Sequence, residues 1–104
     1  MKIIAEYAII PMGTEVSVSR YVKECERIIS SMGIKHMVHA NGTNLEGDFW
    51  LVMAIVFICT LRVHAMGVPR MKTLLSFGTR TDRDQTMEEK VKSVMGDEKD
   101  NTEG

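Results

Sequence analysis

The sequence has little of what marks several specialised classes of protein. Its two cysteines, Cys25 and Cys59, form no C-x-x-C pair and no Cys/His cluster with zinc spacing. They therefore predict two reduced core thiols rather than a disulfide framework or a zinc site. We expect no secretory signal either, because the apolar start carries Glu6 and lacks a basic region with a cleavage site. These absences predict a cytoplasmic protein.

The chain also has no marked excess of positive or negative charge. The chain has 13 Lys and Arg against 14 Asp and Glu, with a net charge of −1. No basic stripe is interleaved with aromatic residues, which is the usual footprint of a nucleic-acid-binding surface. We therefore expect no nucleic-acid partner.

Motifs for phosphate binding, metal binding and nucleophilic catalysis are not found. The Gly-Thr steps at residues 13–14, 42–43 and 78–79 predict turns, and none fits a P-loop or a dinucleotide fingerprint. His36 and His39 lie three residues apart on a predicted strand, so they point to opposite faces and do not converge on one ion. The sequence predicts a protein that is not an enzyme, with no metal site.

What the sequence does contain is one domain with seven elements. With 104 residues, 44% hydrophobic and 26% charged, the chain is typical of a single globular domain. We assign this domain to residues 1–95 and predict a disordered acidic tail at residues 96–104, which have no apolar side chain. The predicted strands are Lys2–Pro11, Ile34–Ala40, Thr43–Glu46 and Pro69–Phe77, and the predicted helices run from an N-cap at Ser17 to Met32, from Asp48 to Gly67, and from a capping box at Thr86.

This order, β-α-β-β-α-β-α, is the split βαβ arrangement of the ferredoxin-like fold. It predicts an α+β sandwich with a four-stranded antiparallel sheet and two helices on one face. The first strand is mostly apolar on both faces, which a half-solvated antiparallel sheet would not favour. We therefore expect another subunit to cover the second face.

The helix in "DFWLVMAIVFICTLRVHAMG", residues 48–67, has two apolar sides. At about 100° per residue, one stripe is predicted to pack on the sheet. That stripe consists of Val52, Val56, Cys59, Val63 and Met66. The opposite side would face solvent in an ordinary surface helix and be polar. Here it consists of Trp50, Leu51, Ala54, Phe57, Ile58, Leu61 and Ala65.

Three interpretations of this second side compete. A membrane span needs about 20 apolar residues, and the run offers about 13 before Arg62 and His64. A helix lying on a membrane surface would carry a cationic polar face, and this helix has almost no polar face. An apolar patch of several hundred Å² is more than monomers usually expose, so the sequence predicts a protein–protein interface and no membrane partner.

Several motifs in fixed order resemble the small thiamine-binding-protein family, which is related to the YkoF-like proteins. They are IIPMGT (residues 9–14), SVSRYV (17–22), GTNLEG (42–47), MGVPR (66–70) and GTRTDRDQTMEEKVKSV (78–94). The resemblance covers nearly all of residues 1–95. It implies a ferredoxin-like subunit that forms dimers and dihedral tetramers. It also implies binding of thiamine or its pyrimidine part in some members, with no enzymatic activity established.

The resemblance makes Glu46, with the nearby Thr43, the candidate contacts for a thiamine-type ligand. The alternative for Glu46 is an acidic residue placed beside a helix N-terminus, where the helix dipole stabilises it. Glu6 lies within the first strand, and a buried carboxylate needs a partner. Arg80 or Arg83 could be that partner.

One departure from the family pattern is concentrated on the second helix. Family members carry charged or polar residues on its outer side, where this chain has Trp50, Phe57 and Leu61 among other apolar residues. We interpret this as a surface redesigned to create a new interface. The predicted function is a non-enzymatic scaffold, a tetramer or larger homo-oligomer, which assembles with itself or with a second designed chain. The alternative is a natural cytosolic protein that binds thiamine or hydroxymethylpyrimidine.

Overall fold

Four antiparallel strands form the centre of the protein, which a computed structural model describes over residues 1–96. The elements in chain order are β1 (Lys2–Met12), α1 (Ser19–Ser31), β2 (Lys35–His39), β3 (Gly42–Asp48), α2 (Phe49–Ala65), β4 (Arg70–Gly78) and α3 (Met87–Met95). The strand order is β2-β3-β1-β4, and every neighbouring pair is antiparallel. The predicted α+β ferredoxin-like fold is confirmed. Residues 97–104, most of the predicted tail, lie outside the described residues.

The strand register decides which side chains face the two long helices. Ala5 of β1 lies opposite Leu45 of β3 and Phe77 of β4. The odd-numbered residues of β1 therefore point to the side where α1 and α2 pack, and the even-numbered residues point away. The core consists chiefly of Ile3, Ala5, Tyr7, Tyr21, Cys25, Ile29, Leu45, Val52, Ile55, Cys59, Val63 and Val68.

The core-facing stripe of α2 differs in part from the predicted stripe. Three of the predicted residues are fully buried, but Val56 and Met66 are only half-buried. Ile55, which the prediction omitted, has no exposed surface. It lies four residues before Cys59, or about 40° around the helix, so it belongs to the same stripe.

The starts of α1 and α3 were predicted with different success. Ser17 was predicted as the N-cap of α1, but the helix begins at Ser19 and its cap residue, Val18, makes no side-chain cap hydrogen bond. The prediction was wrong because the Ser17 hydroxyl is hydrogen-bonded to the Ser19 hydroxyl instead. At α3, the Thr86 hydroxyl accepts a hydrogen bond from the Glu89 N–H at 3.1 Å, as the capping box predicted.

The second face of the sheet is covered in part by the chain itself. Helix α3 lies across one end of this face, where Met87 is buried near Ile4. Farther along the same face, large apolar side chains are exposed, including Ile10, Met37 and Leu74. The expectation that another subunit covers this face therefore applies only to the part that α3 leaves open, and there it stays a prediction.

Helix α2 is the apolar helix for which a membrane span was one interpretation of the sequence. Helix α2 contains 17 residues. No helix within residues 1–96 combines the length and the apolar character needed to cross a membrane.

We expect Gly42→Ala to destabilise the fold by about 1–3 kcal/mol, since overpacking against rigid neighbours costs this much. A Cβ atom at position 42 would lie 2.8 Å from the Tyr7 carbonyl oxygen, so β3 would have to move away from β1. Urea unfolding at equilibrium measures the change. Gly78→Ala is the matched control, because a Cβ atom there meets no atom within 4 Å. Equal midpoints for the two variants would contradict the prediction.

Candidate ligand pocket and outer helix surface

A small pocket opens at one end of the sheet, between α1 and strands β1, β2 and β3. Its volume is about 200 Å³. Its lining includes Tyr7, Val22, Glu26, Val38, Asn41 and Thr43. The pocket is therefore apolar along its sides, with a few polar groups inside.

The fold brings these residues together through two periodicities. Tyr7 and Thr43 are partners in the antiparallel register of β1 and β3, and both face α1. On α1, Val22 and Glu26 are four residues apart, and Ile29 follows three residues later, so all three share one side of the helix. The helix side and the paired strands form the two walls of the pocket.

The carboxylate of Glu26 is the most unusual group in the pocket. Its Oε1 atom accepts a hydrogen bond from the Thr43 hydroxyl, whereas its Oε2 atom is buried and has no hydrogen-bond partner. Within residues 1–96, no Lys, Arg or His side chain forms an ion pair with it. Burying a carboxylate oxygen without a hydrogen-bond partner costs free energy. A ligand that donates a hydrogen bond to this atom would remove that cost.

Tyr7 contributes a second buried polar group without a partner. Its hydroxyl forms no hydrogen bond, and the residue is only 3% exposed. Burial raises the pKa of Tyr7, and the nearby thiols of Cys59 and Cys25 raise it further. The side chain therefore stays a neutral hydroxyl that can donate or accept one hydrogen bond.

The two cysteines are free, buried thiols, Cys25 on α1 and Cys59 on α2, and Cys25 is part of the pocket lining. The Sγ atom of Cys59 lies 3.9 Å from the Cys25 carbonyl oxygen. A hydrogen bond between the two side chains raises the pKa of the Cys25 thiol, and burial raises it further. Cys25 is therefore a packing group rather than a nucleophile, whereas the same contact lowers the pKa of Cys59.

Glu46, the first predicted ligand contact, lies on the other face of the sheet. It is 6% exposed. Its Oε1 atom accepts a hydrogen bond from the Met87 N–H at 2.6 Å, at the start of α3. Its Oε2 atom lies 3.3 Å from the Lys2 ammonium and 3.4 Å from the Lys35 ammonium. Both oxygens therefore have partners, and the carboxylate fixes α3 to the sheet.

The surroundings of Glu46 also lower its pKa. Burial alone would raise the pKa of this carboxyl, but the Met87 N–H and the ammonium groups of Lys2 and Lys35 outweigh burial and lower it. A helix N-terminus does lie beside this carboxylate, as one interpretation held. It is the N-terminus of α3 and not that of α2.

The two residues predicted as ligand contacts are therefore not brought together. Thr43 faces α1 and lines the pocket, whereas Glu46 faces α3. The reason is the period of two along a strand, which sends residues three apart to opposite faces. Glu6 also differs from the expectation: it is exposed, and its Oε2 atom lies 3.6 Å from His39 Nε2.

The arginines proposed as partners of Glu6 are paired elsewhere. Arg80 forms two hydrogen bonds with the Asp82 carboxylate, at 2.6 and 2.7 Å. Arg83 lies 3.7 Å from Glu89. Within residues 1–96, no three His, Cys, Asp or Glu side chains converge in a way that could hold a metal ion.

The outer side of α2 is exposed in this single chain. Trp50, Phe57 and Leu61 are 74%, 63% and 55% exposed, and Ile58 is 38% exposed. We call the seven residues predicted as an interface the α2 surface: Trp50, Leu51, Ala54, Phe57, Ile58, Leu61 and Ala65. Two of them are not fully on the outside, because Ala54 is half-buried and Leu51 is half-buried against the core. Trp50 is fixed by an edge-to-face contact with Phe49, with 5.1 Å between ring centroids.

Glu26 and Tyr7 were missed as candidate site residues. Tyr7 was counted as one apolar position on a strand. For Glu26 a signal was present, because it falls between Val22 and Ile29 at helical spacing, on the buried flank of α1. A carboxylate at a core-facing position needs either a partner or a function.

A four-stranded antiparallel sheet, two helices on one face and a small pocket between helix and sheet define a ferredoxin-like α+β domain. The chain belongs to the thiamine-binding protein family, since the model of that family matches residues 5–95. The resemblance noted in the sequence is thereby confirmed. The family is not known as one of enzymes.

Proteins of several microorganisms are similar to this chain. The UPF0045 protein sll0230 of Synechocystis is 50% identical over 94 residues, which are 90% of this chain and 78% of that protein. The crystal structure of MJ1052 from Methanocaldococcus jannaschii matches with a TM-score of 0.83 and 33% identity, over 90% of this chain and 96% of that one. The Thermotoga maritima protein TM0486, with a TM-score of 0.79 and 22% identity, covers 90% of this chain and 99% of its own and shares the fold. These relatives lend no support to the hypothesis of an engineered surface.

We expect Glu46→Gln to lower the free energy of unfolding at pH 7 by about 1–2 kcal/mol, because a charged hydrogen bond becomes a neutral one. The two lysines are partly exposed, so their ion pairs add little. The folded-state pKa of Glu46 is lowered, so its contribution is present above its ordinary pKa of about 4.5 and is lost as the pH falls through the folded value.

Urea unfolding of wild type and variant between pH 7 and pH 2.5 measures this difference. The gap in stability between the two proteins should close at the acid end. Glu88→Gln is the control, because that carboxylate also pairs with Lys35 but is exposed on α3. A gap that persists unchanged to pH 2.5 would contradict the assigned role of the Glu46 charge.

Proposed function

We propose that this protein binds thiamine, or the aminopyrimidine part of that molecule, in the pocket between α1 and the sheet, and does not transform it. The observation that carries the proposal is the buried Oε2 atom of Glu26, which has no hydrogen-bond partner. Membership of the thiamine-binding protein family supports this ligand class. The two free cysteines favour a cytoplasmic location.

The chemistry of the pocket suits an aminopyrimidine. Such a ring presents an amino group beside a ring nitrogen, and its protonated form has two N–H donors on one edge. The Glu26 carboxylate offers an acceptor to that edge, and a charge-assisted hydrogen bond of this kind is among the stronger ones in proteins. Val22, Val38 and Ile29 line the pocket with apolar surface for the faces of the ring.

The size of the pocket limits how much of a ligand it holds. Sites for drug-sized molecules usually measure about 300–1,000 Å³, and this one measures about 200 Å³. We therefore assign the enclosed space to a single six-membered ring. The thiazolium part of thiamine would extend through the opening of the pocket.

Binding without reaction is supported by the state of the polar groups. The raised pKa values of Tyr7 and Cys25 keep the hydroxyl and the thiol protonated at neutral pH. Neither is therefore an activated nucleophile. The pocket offers hydrogen-bonding groups for recognition, and we propose no catalytic residue.

Calorimetric titration with thiamine and with hydroxymethylpyrimidine tests this function. We expect both ligands to bind, and Glu26→Gln to weaken binding by about 10- to 100-fold, because a hydrogen bond to a charged group contributes about 1.5–3 kcal/mol. Tyr7→Phe should weaken binding less, because it removes one neutral hydroxyl.

Glu24→Gln is the matched control for Glu26→Gln. It changes a carboxylate on the same helix whose partners are Arg27 and Arg62 rather than the pocket. This variant should bind like the wild type. Absence of heat and of any thermal shift with either ligand at millimolar concentration would refute the proposal.

A second role, in assembly, is favoured by the exposure of the α2 surface. The apolar side chains of this surface extend along one helix, and Trp50 and Phe57 are among the more exposed large side chains of the chain. Contiguous apolar patches of several hundred Å² on soluble domains usually mark contact sites. We propose that this surface mediates self-assembly of a homo-oligomer, a tetramer or larger.

Light scattering on the triple variant Phe57→Lys, Ile58→Lys, Leu61→Glu tests the assembly role. We expect the weight-average mass of the wild type to fall at least twofold in the variant, because three charges would have to be desolvated in the contact. Val16→Lys is the control, because Val16 is exposed and lies far from α2 in the sequence. Equal masses of wild type and triple variant at 100 µM protein would refute the role.

A further inference from the structure

We propose that the α2 surface binds the α2 surface of a second copy of this chain, with the two helices antiparallel. This inference rests on the assembly role proposed above and adds the partner and the geometry. A two-fold contact through α2 joins copies in pairs, so a tetramer needs a second contact elsewhere on the chain. It concerns a different part of the molecule from the ligand pocket, which opens between α1 and the strands.

The spacing of the exposed residues favours a helix as the partner. Trp50, Ala54, Phe57 and Leu61 follow one another at intervals of four, three and four residues. This is the spacing of the apolar seam along which two helices pack side by side. The helix has 17 residues and is therefore about 25 Å long, so the seam runs over most of its length.

The sizes of the side chains along this seam favour the antiparallel direction. In an antiparallel pair centred between residues 55 and 56, Phe57 lies beside Ala54 of the second copy, and Trp50 lies beside Leu61 of the second copy. The small alanine leaves room for the phenylalanine ring, and this happens twice because the pair is two-fold symmetric. A parallel pair would instead place Ala54 against Ala54 and Phe57 against Phe57. The two alanines would leave a gap, and the two phenylalanine rings would overlap.

The ends of α2 favour the same direction through the helix dipole. In the antiparallel pair the two helix dipoles oppose each other, whereas a parallel pair would bring like ends together. The charged side chains at these ends do not add to this preference, because Asp48 lies 3.3 Å from the N-terminal ammonium group of its own chain and Arg62 lies 3.1 Å from Glu24.

The size of the contact predicts its strength. A single pair of helices of this length makes a contact at the low end of known interfaces, where association is weak and reversible. We therefore expect pairing at micromolar concentration, with a mass that increases with protein concentration.

Two charge variants and their mixture test the geometry. Trp50→Lys and Leu61→Glu should each abolish pairing when alone, because each places two like charges in the contact. In a mixed antiparallel pair, the new lysine of one copy lies beside the new glutamate of the other, and the remaining Trp50 and Leu61 still meet. Sedimentation velocity at 10 and 100 µM should show no pairing in either variant alone and restored pairing in the mixture.

The control for surface charge is the mixture of Trp50→Lys with Val16→Glu. This mixture introduces the same two charges, but the one at position 16 lies outside the α2 surface. The average mass of the mixture should therefore not exceed that expected from its two components measured separately. Calorimetric titration of each variant with thiamine reports separately on the pocket. Unfolding midpoints close to that of the wild type establish that the variants are folded.

The outcomes are distinguishable. Restored pairing in the Trp50→Lys and Leu61→Glu mixture supports the antiparallel pair. Wild-type association that each variant abolishes, without restoration on mixing, overturns the geometry and leaves the assembly role intact. Equal masses of wild type and variants at both concentrations overturn the assembly role together with the geometry, while the calorimetric result stands by itself.

Discussion

The pairing of β1 with β3 and β4 fixes which side chains the helices cover, because alternate residues of a strand point to opposite faces. Tyr7 and Thr43 are opposite each other in that register, so both point toward α1 and line the pocket. Ile4 and Glu46 are likewise opposite each other, and both face α3. A shift of the register by one residue would exchange the two sets. The pocket, the anchor of α3 and the core all depend on this single constraint.

Glu46 and Glu26 both place carboxylate oxygens inside the fold, and the partners of these oxygens separate the roles of the two residues. Both oxygens of Glu46 have partners, an N–H on one and two ammonium groups nearby on the other. One oxygen of Glu26 has the Thr43 hydroxyl, and the other has none. Because an unpartnered buried polar atom costs stability, proteins keep such an atom mainly where it has a function. This difference moves the candidate site from one face of the sheet to the other.

Helix α2 has one side in the core and one side on the surface of the molecule. Its inner stripe, including Ile55 and Cys59, packs in the core, and its outer side carries exposed apolar residues such as Trp50. The two proposed functions use different sides of the same fold. The proposed ligand binding depends on α1 and the strands, whereas the proposed assembly depends on the outer side of α2, so variants can test each without the other.

The order of the elements, the fold and the family can all be predicted from the amino-acid sequence alone. Hydrophobic periodicity and the capping signal at Thr86 are local, and the motifs of residues 42–47 and 78–94 need no structure to be recognised. The exposed apolar side of α2 was also readable, because a helix has a fixed angular step.

The position of the candidate pocket, in contrast, depends on how distant segments of the chain meet. No local signal tells which face of the sheet Thr43 or Glu46 occupies, or that Met87, 41 residues away, donates to Glu46. The free oxygen of Glu26 depends on what α1 packs against, which is a relation between distant segments. Periodicity reveals which residues are buried, but whether a buried polar atom finds a partner is settled when separate elements meet in three dimensions.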